Sequence, residues 1–388
     1  MPRVLHTSDW HVGKTVRGRR RIDEHRAVLG EIAGIAADHA VDLVVVAGDL
    51  FETSTPTAES VELVYRSLLD LAATAEVVVV AGNHDHAAML RAVAPLLELG
   101  RVHLLAEVTR PAEGGVRTVV TAGGELDVAM LPFVSRRGLV PAAAAMSATA
   151  DRNALAYAEG MAEVIGILSD ACHADRPALL VAHAFVVGAR TGGGERPAFV
   201  GDEYAVTAQA FPSTLSYVAL GHLHRAQKVP GPAPLHYCGS PLQLDFGEAI
   251  GTQQVNIVEL DAGVPAKVDA VPLSSGRPML TVTGTLDELR DHAPEVDPEA
   301  WVRARVREAA RSGLAEEVRD VLGDRCVEVL IAGGAGSGDR PRRESTQGRT
   351  PHDLFVDYLA DAGVEDPPLL SLFDELHEVA SSGVEAGQ

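Results

Sequence analysis

The 388-residue sequence predicts an α/β protein: an αβ sandwich, then a small α+β unit, then C-terminal helices. Three observations carry this. Short β-branched runs alternate with amphipathic helical stretches over the first 270 or so residues. The pattern shifts to a compact strand–helix alternation near residue 275. Two short amphipathic stretches follow a Gly- and Arg-rich segment. A chain this long, 46% hydrophobic, can build a sizeable core in more than one domain.

In chain order, residues 3–8, 42–48, 76–81, 178–182 and 217–220 are apolar runs short enough for buried strands. Between them lie helical patterns at Ile22–Ala40, Ala58–Thr74 and Leu155–Cys172. In the last, Leu155, Met161, Ile165, Leu168 and Cys172 recur at three-to-four spacing, apart from one gap bridged by alanines. Several strands in 217–270 complete the sandwich, predicted over residues 1–272. "MLTVTGT", "LDELRDHA", "WVRARVRE", "GLAEEVRDVLG" and "CVEVLIA" then read as β-α-β-α-β, a second unit over 275–332. Residues 333–349 lack apolar periodicity, and a flexible coil of that length spans roughly 20–25 Å. In 350–382, Thr350-Pro351 suits a helix start, Phe355, Tyr358 and Leu359 form a stripe, and Gly363 suits the helix end. Leu369, Leu372, Phe373 and Leu376 form a second stripe. Two such helices have too little core to stand alone, so they pack back on the chain or dock on a partner.

The net charge of −21 excludes a nonspecific cationic nucleic-acid binder. Charge is nevertheless uneven: residues 1–26 carry seven Lys/Arg, whereas 350–388 carry nine acids and no Lys or Arg. Cys172, Cys238 and Cys326 have no zinc or disulfide spacing. No run of eighteen apolar residues exists, and the first strand begins almost at the N-terminus, so we expect a cytoplasmic protein that does not enter the membrane. No G-x-x-x-x-G-K-[ST] loop is present, so any ATP dependence has to come from a partner.

Polar clusters follow five of the strands. "TSDWH" supplies Asp9 and His11, "AGDLF" Asp49, "AGNHDH" Asn83, His84 and Asp85, "LVAHAF" His183, and "ALGHLH" His222 and His224. A single strand-end Asp or His is more often a cap than a ligand. Five in succession converge, because ligands of α/β sheets collect at the carboxyl ends of strands. Imidazole, carboxylate and amide oxygen without thiolate suit Mn, Fe or catalytic Zn. Such a set exceeds one four-coordinate ion and suits two octahedral ions sharing a carboxylate, the arrangement for in-line displacement at phosphorus. "KTVRGRRR" (Lys14, Arg17, Arg19, Arg20, Arg21) lies beside the first cluster and reads as a DNA phosphate contact, with a solvated basic loop as the plainer alternative. His25, His86 and Lys228 read as surface residues.

D-x-H, G-D-x-x, G-N-H-D, a later His and G-H-x-H, in this order, resemble the calcineurin-like metallophosphoesterases. "HTSDWHVGK", "AGDLFE", "LVAHAFVVG", "ERPAFVGDEYAV" and "YVALGHLH…YCGSPLQLDFGE" are similar to the SbcD family, the nuclease subunits of bacterial SbcCD complexes. The resemblance covers residues 1 to about 270 specifically and the remainder in architecture. It implies two β-sheets flanked by helices, a capping unit, and a C-terminal segment (350–382) that binds an SbcC-type ATPase. It implies two Mn2+ per chain, with Mg2+ or another divalent ion as alternatives. Asp9, His11 and His224 would hold one, Asn83, His183 and His222 the other, and Asp49 would bridge them. His84 would act at the scissile phosphate as the catalytic residue, and Asp85 would support His84 or the backbone beside it. The implied activity is 3′→5′ exonuclease on double-stranded ends and endonuclease on single strands or hairpins. The setting is DNA repair, recombination and replication, as a nucleoid-associated homodimer. One departure stands out: some relatives carry a second functional histidine where this chain has Glu52. Two rival readings stay open. One is a phosphatase or phosphodiesterase of the same superfamily acting on non-DNA substrates. The other is a structural subunit with a vestigial site, against which the complete ligand set argues.

Overall fold

The structure, a computed structural model, describes residues 1–139, 150–192, 195, 204–248, 251 and 253–331, with six helical positions of the tail: 355, 356, 359, 369, 372 and 373. The first sheet contains β1 (Arg3–Thr7), β2 (Leu43–Ala47), β3 (Glu76–Val80) and β4 (Val102–Leu105), all parallel. Helices α1 (Ile22–Asp38), α2 (Ala58–Ala72) and α3 (Ala87–Glu98) connect them. The Thr57 hydroxyl caps α2 by accepting from the Ser60 N–H. In the second sheet, β5 (Val116–Thr121) and β6 (Gly124–Leu131) form a hairpin. The long helix α4 (Ala150–Asp170) leads to β7 (Ala178–His183), β8 (Tyr217–Gly221), β9 (Gln227–Val229) and β10 (Leu235–Tyr237). β11 (Gln254–Asp261) and β12 (Val264–Pro272) return to the antiparallel edge of the first sheet, giving orders β12-β11-β1-β2-β3-β4 and β9-β10-β8-β7-β6-β5.

The valine runs are apolar throughout because both faces of each strand are covered. Val44 and Val46 of β2 pack towards the helices on the outer face. Leu43, Val45 and Ala47 pack the opposite way, with Val78 and Val80, against Val128, Val181 and Ala219 of the second sheet. Tyr157, Met161, Ile165 and Leu168 of α4 cover the far side of the second sheet. The layers are therefore helix, sheet, sheet, helix. The sequence pattern assigns no element to α3, β4 or the β5–β6 hairpin. The hairpin carries Arg117, Glu125 and Asp127 among its apolar residues, and Asp127 is fully buried only because Thr118 and His173 donate to it.

Residues 279–331 form β-α-β-α-β, as their pattern predicts: β13 (Met279–Gly284), α5 (Leu286–His292), β14 (Trp301–Val306), α6 (Leu314–Leu322) and β15 (Cys326–Ile331). The three strands are parallel and share a separate core of Val302, Ala304, Leu314 and Val318. Thr285 and Glu288 make a reciprocal capping box at the start of α5.

The basic "KTVRGRRR" stretch seats this unit. Thr15–Val16 and Arg19–Arg20 pair as a short hairpin, and Val16 packs with Met279 and Trp301. Arg17 pairs with Glu328 of β15 at 2.8 Å. Arg21 is buried and donates to both Glu24 carboxylate oxygens, at 3.0 and 2.7 Å, and to the Gln243 carbonyl at 2.6 Å. Glu24 in turn accepts from the Trp301 indole N–H at 2.9 Å and the Arg277 N–H at 3.1 Å. The phosphate-contact reading therefore fails at Arg21, whose guanidinium is enclosed and already matched. His25 is fully buried too, not a surface residue: it lies on the inner face of α1, where burial, then the Arg21 charge, lowers its pKa to about 4. His86 and Lys228 are exposed.

The expected linker lies outside the described residues, as does most of the tail. Among the six tail positions, the rings of Phe355 and Phe373 stack at 4.0 Å. Among the described residues, no helix is long and apolar enough to cross a membrane.

Candidate metal centre

Five parallel strands, β1, β2, β3, β7 and β8, deliver their carboxyl ends to one place. Asp9, His11, Asp49, His183, His222 and His224 are all buried there, and Asn83 is half-buried. The backbone turns sharply to do this: Asp9, His11, Asp49 and His222 all adopt positive φ, at 53°, 46°, 53° and 105°. Non-glycine residues rarely hold such angles unless the surroundings over-determine them. Two glycines permit the close approach. A Cβ on Gly221 would strike the Ala47 carbonyl, and one on Gly82 would strike the Asp49 carboxylate.

The imidazoles are held from behind. His183 Nδ1 donates to the Ala47 carbonyl at 2.8 Å, leaving Nε2 to face inward. His11 Nδ1 meets a Glu52 carboxylate oxygen at 3.0 Å and His224 Nδ1 meets Glu248 at 3.2 Å. With those protons committed, the His11 and His224 Nε2 atoms approach to 3.1 Å. Neutral rings would oppose two lone pairs there; a proton on one Nε2 or a divalent cation held by both rings relieves that repulsion. Carboxylates set behind histidines are the usual support for metal-ligating rings.

Ligand atoms of Asp9, His11 and His224 lie within 4.8 Å of one another, as do those of Asp9, Asp49 and His183. Asn83 Oδ1 lies 2.9 Å from His183 Nε2 and 2.8 Å from His222 Nδ1. The Asp49 Oδ2 is 3.5 Å from both His11 Nε2 and His183 Nε2, so this one oxygen faces both halves of the cluster. Burial pushes the Asp9 carboxyl up to about 6. Burial, reinforced by neighbouring histidines, holds His11 and His183 well below the usual imidazole range. At His224, burial opposes charge, but the Glu248 hydrogen bond and the Asp9 and Glu195 carboxylates outweigh it and raise the pKa. Divalent cations suit this donor set: they keep buried carboxylates ionised and accept neutral imidazole nitrogen.

His84 is buried beside the cluster. Its N–H donates to Asp49 Oδ1 at 2.9 Å, and its Nε2 is 4.0 Å from Asp49 Oδ2. Asp85 accepts from the N–H groups of Gly82, Leu50 and Phe51, at 2.9, 3.2 and 3.1 Å, tying the loop after β3 to the loop after β2. Of the remaining basic residues, Lys14 pairs with Glu52 at 2.8 Å, Arg20 pairs with Glu59, and Arg19 is exposed.

Sequence reasoning assigned no role to Glu248 or Glu195, and treated Glu52 only as a departure from relatives. Glu248 orients His224. Glu195 accepts from the His224 and Gly192 N–H groups, at 3.1 and 2.6 Å. Their motifs, "LDFGE" and "ERPAF", were visible, but their partners are 24 and 29 residues away.

Residues 2–226 match the family model of the calcineurin-like phosphoesterases. The SbcD subunit of the SbcCD nuclease of Bacillus subtilis (strain 168) is 35% identical over 329 residues, covering 81% of each chain. Its counterpart in Escherichia coli (strain K12) is 31% identical over 316 residues, 77% of this chain and 76% of that protein. The Rhodobacter capsulatus counterpart is 32% identical over 300 residues, 72% of this chain and 71% of that protein. With relatives at 35% and 31% identity over most of the chain and a family model matching more than half of it, the chain belongs to the SbcD family of nuclease subunits, metal-dependent phosphodiester hydrolases of calcineurin-like fold.

Proposed function

We propose that the chain is the Mn2+-dependent DNA nuclease subunit of an SbcCD-type complex. It acts as a 3′→5′ exonuclease on double-stranded ends and an endonuclease on single strands and hairpins, in DNA repair, recombination and replication. The observation that carries this reading is the convergence of seven ligand-type side chains, with His11, His183 and His224 each held at Nδ1 so that Nε2 faces the others.

Asp9, His11 and His224 would hold one ion and Asn83, His183 and His222 the other, with the Asp49 carboxylate shared between the two groups. When bound, the ions supply Lewis acidity at phosphorus and a nucleophilic water. The protein's own residues do the rest. Asp49 and the histidines would fix where the ions sit, and so where a phosphate can be held. His84, placed within 4.0 Å of Asp49, protonates the leaving sugar oxygen or stabilises its developing charge. Asp85 holds the backbone from which His84 projects. Arg17, Arg19 and Arg20 contact the DNA backbone, since an exposed ion pair such as Arg20–Glu59 is worth about 1 kcal/mol or less and exchanges readily for phosphate. Lys14 joins them at the edge of the site.

In this reading residues 1–272 are the nuclease domain, 275–332 the capping unit and 333–349 a linker. The acidic segment 350–382 docks on an SbcC-type ATPase, and two copies of the chain form a cytoplasmic, nucleoid-associated homodimer. The deciding experiment is digestion of an end-labelled blunt duplex and a hairpin with Mn2+, with and without the ATPase, beside phosphoprotein and cyclic-nucleotide controls. Metal-dependent DNA cleavage is expected. Turnover of the controls with intact DNA would overturn the reading.

A further inference from the structure

We infer that Glu52 is a positioning residue that sets one metal position through its side chain and His84 through its main chain. The inference rests on the two-metal reading of the site.

Glu52 stands where two motif loops are zipped together. His11 and Val12 donate N–H groups to the carbonyls of Asp49 and Leu50, both at 3.0 Å, and Glu52 returns its own N–H to the Val12 carbonyl at 3.2 Å. This register places the Glu52 carboxylate behind His11, and its two oxygens are divided. Oε2 meets His11 Nδ1 at 3.0 Å, and Oε1 receives the Lys14 ammonium at 2.8 Å. Lys14 thereby anchors the oxygen that does not face His11, so the carboxylate cannot turn away from the ring. The consequence falls on His11 Nε2, the atom turned towards Asp49 and His224. A carboxylate on Nδ1 selects the tautomer that leaves Nε2 unprotonated and makes it a stronger donor to a cation.

The main-chain contribution is separate. The Glu52 carbonyl accepts from His84 Nδ1 at 2.7 Å, so a substitution at 52 removes the carboxylate and leaves this bond available. Glu52 thus differs in kind from a second substrate-facing histidine: it acts behind two other imidazoles.

The test is Mn2+ titration calorimetry on the full chain, comparing the parent with Glu52→Ala and Glu52→Gln. In Glu52→Ala, one ion is expected to bind about 10- to 100-fold more weakly while the other holds within about twofold. Glu52→Gln, which keeps an acceptor for Nδ1, is expected to lose less at the same ion. If Glu52→Ala does not fold, Glu52→Gln alone decides. Parent-like binding of both ions by the folded variants overturns the inference, as does equal weakening of both. A parent that binds no Mn2+ overturns the two-metal reading and the inference with it, whereas a parent that binds two ions isolates the question to Glu52.

Discussion

His84 Nδ1 donates to the main-chain carbonyl of Glu52 at 2.7 Å. A carbonyl only accepts, so Nδ1 carries a proton and Nε2 is the atom left for substrate. In the proposed role of acid the imidazolium is the working form, with a second proton carried on Nε2. His84→Asn removes this atom without removing a ligand. Cleavage is expected to fall about 10²–10⁴-fold with Mn2+ affinity held. Single-turnover cleavage beside metal titration checks both halves, and unchanged cleavage would refute the role assigned to His84.

Glu24 links α1 to the 279–331 unit. Burial raises its carboxyl, but the hydrogen bond and charge of Arg21, with Trp301 and Arg277, outweigh it and hold the pKa below the ordinary 4.5. A depressed carboxyl contributes stability that is present above the unfolded value and is lost as pH falls through the folded value. Thermal stability should therefore decline below about pH 4.5. Glu24→Gln should flatten that part of the Tm–pH curve. Glu24→Ala, which leaves the Arg21 guanidinium buried and unpaired, should cost about 3–5 kcal/mol in denaturant unfolding.

Gly221→Ala tests the junction of the two sheets. Its Cβ meets the Ala47 carbonyl, so β8 has to move away from β2. A loss of about 1–3 kcal/mol is expected, together with weaker metal binding. A variant with parent Tm and parent Mn2+ affinity would show that the sheets separate freely here.

Asp85→Ala orphans the N–H groups of Gly82, Leu50 and Phe51, each costing about 1–3 kcal/mol where water cannot replace the carboxylate. Both loops loosen together, so Mn2+ affinity and stability should fall in the same variant. Hydrogen exchange at these three amides reads the effect directly.

Deleting 350–388 removes nine acids and both apolar stripes. Binding to the ATPase partner should be lost while metal-dependent cleavage of a short duplex persists. Retained binding at moderate salt would place the docking surface elsewhere.

Much of the centre was legible because ligand chemistry is a property of residue type, and strand-end placement follows from apolar runs of the right length. The alternation of Val44 and Val46 with Leu43 and Val45 explains why those runs are apolar on both faces. The β5–β6 hairpin was not legible. Asp127 and Arg117 break its apolar pattern, and the groups that make Asp127 tolerable include His173, 46 residues on. Glu52 posed the same difficulty, since its value lies in facing His11 across 41 residues.

Which atoms can ligate, and that they stand at the ends of buried strands, is readable along the chain, because composition and periodicity are local. Which charges are spent within the protein depends on contacts between distant segments. Arg21 reads as a free cation beside its arginine neighbours, yet it is enclosed by Glu24 and by the Gln243 carbonyl, 222 residues away, while Trp301 reaches the same carboxylate across 277 residues. Burial and partnership depend on what the distant chain brings near, and desolvation makes that difference decisive.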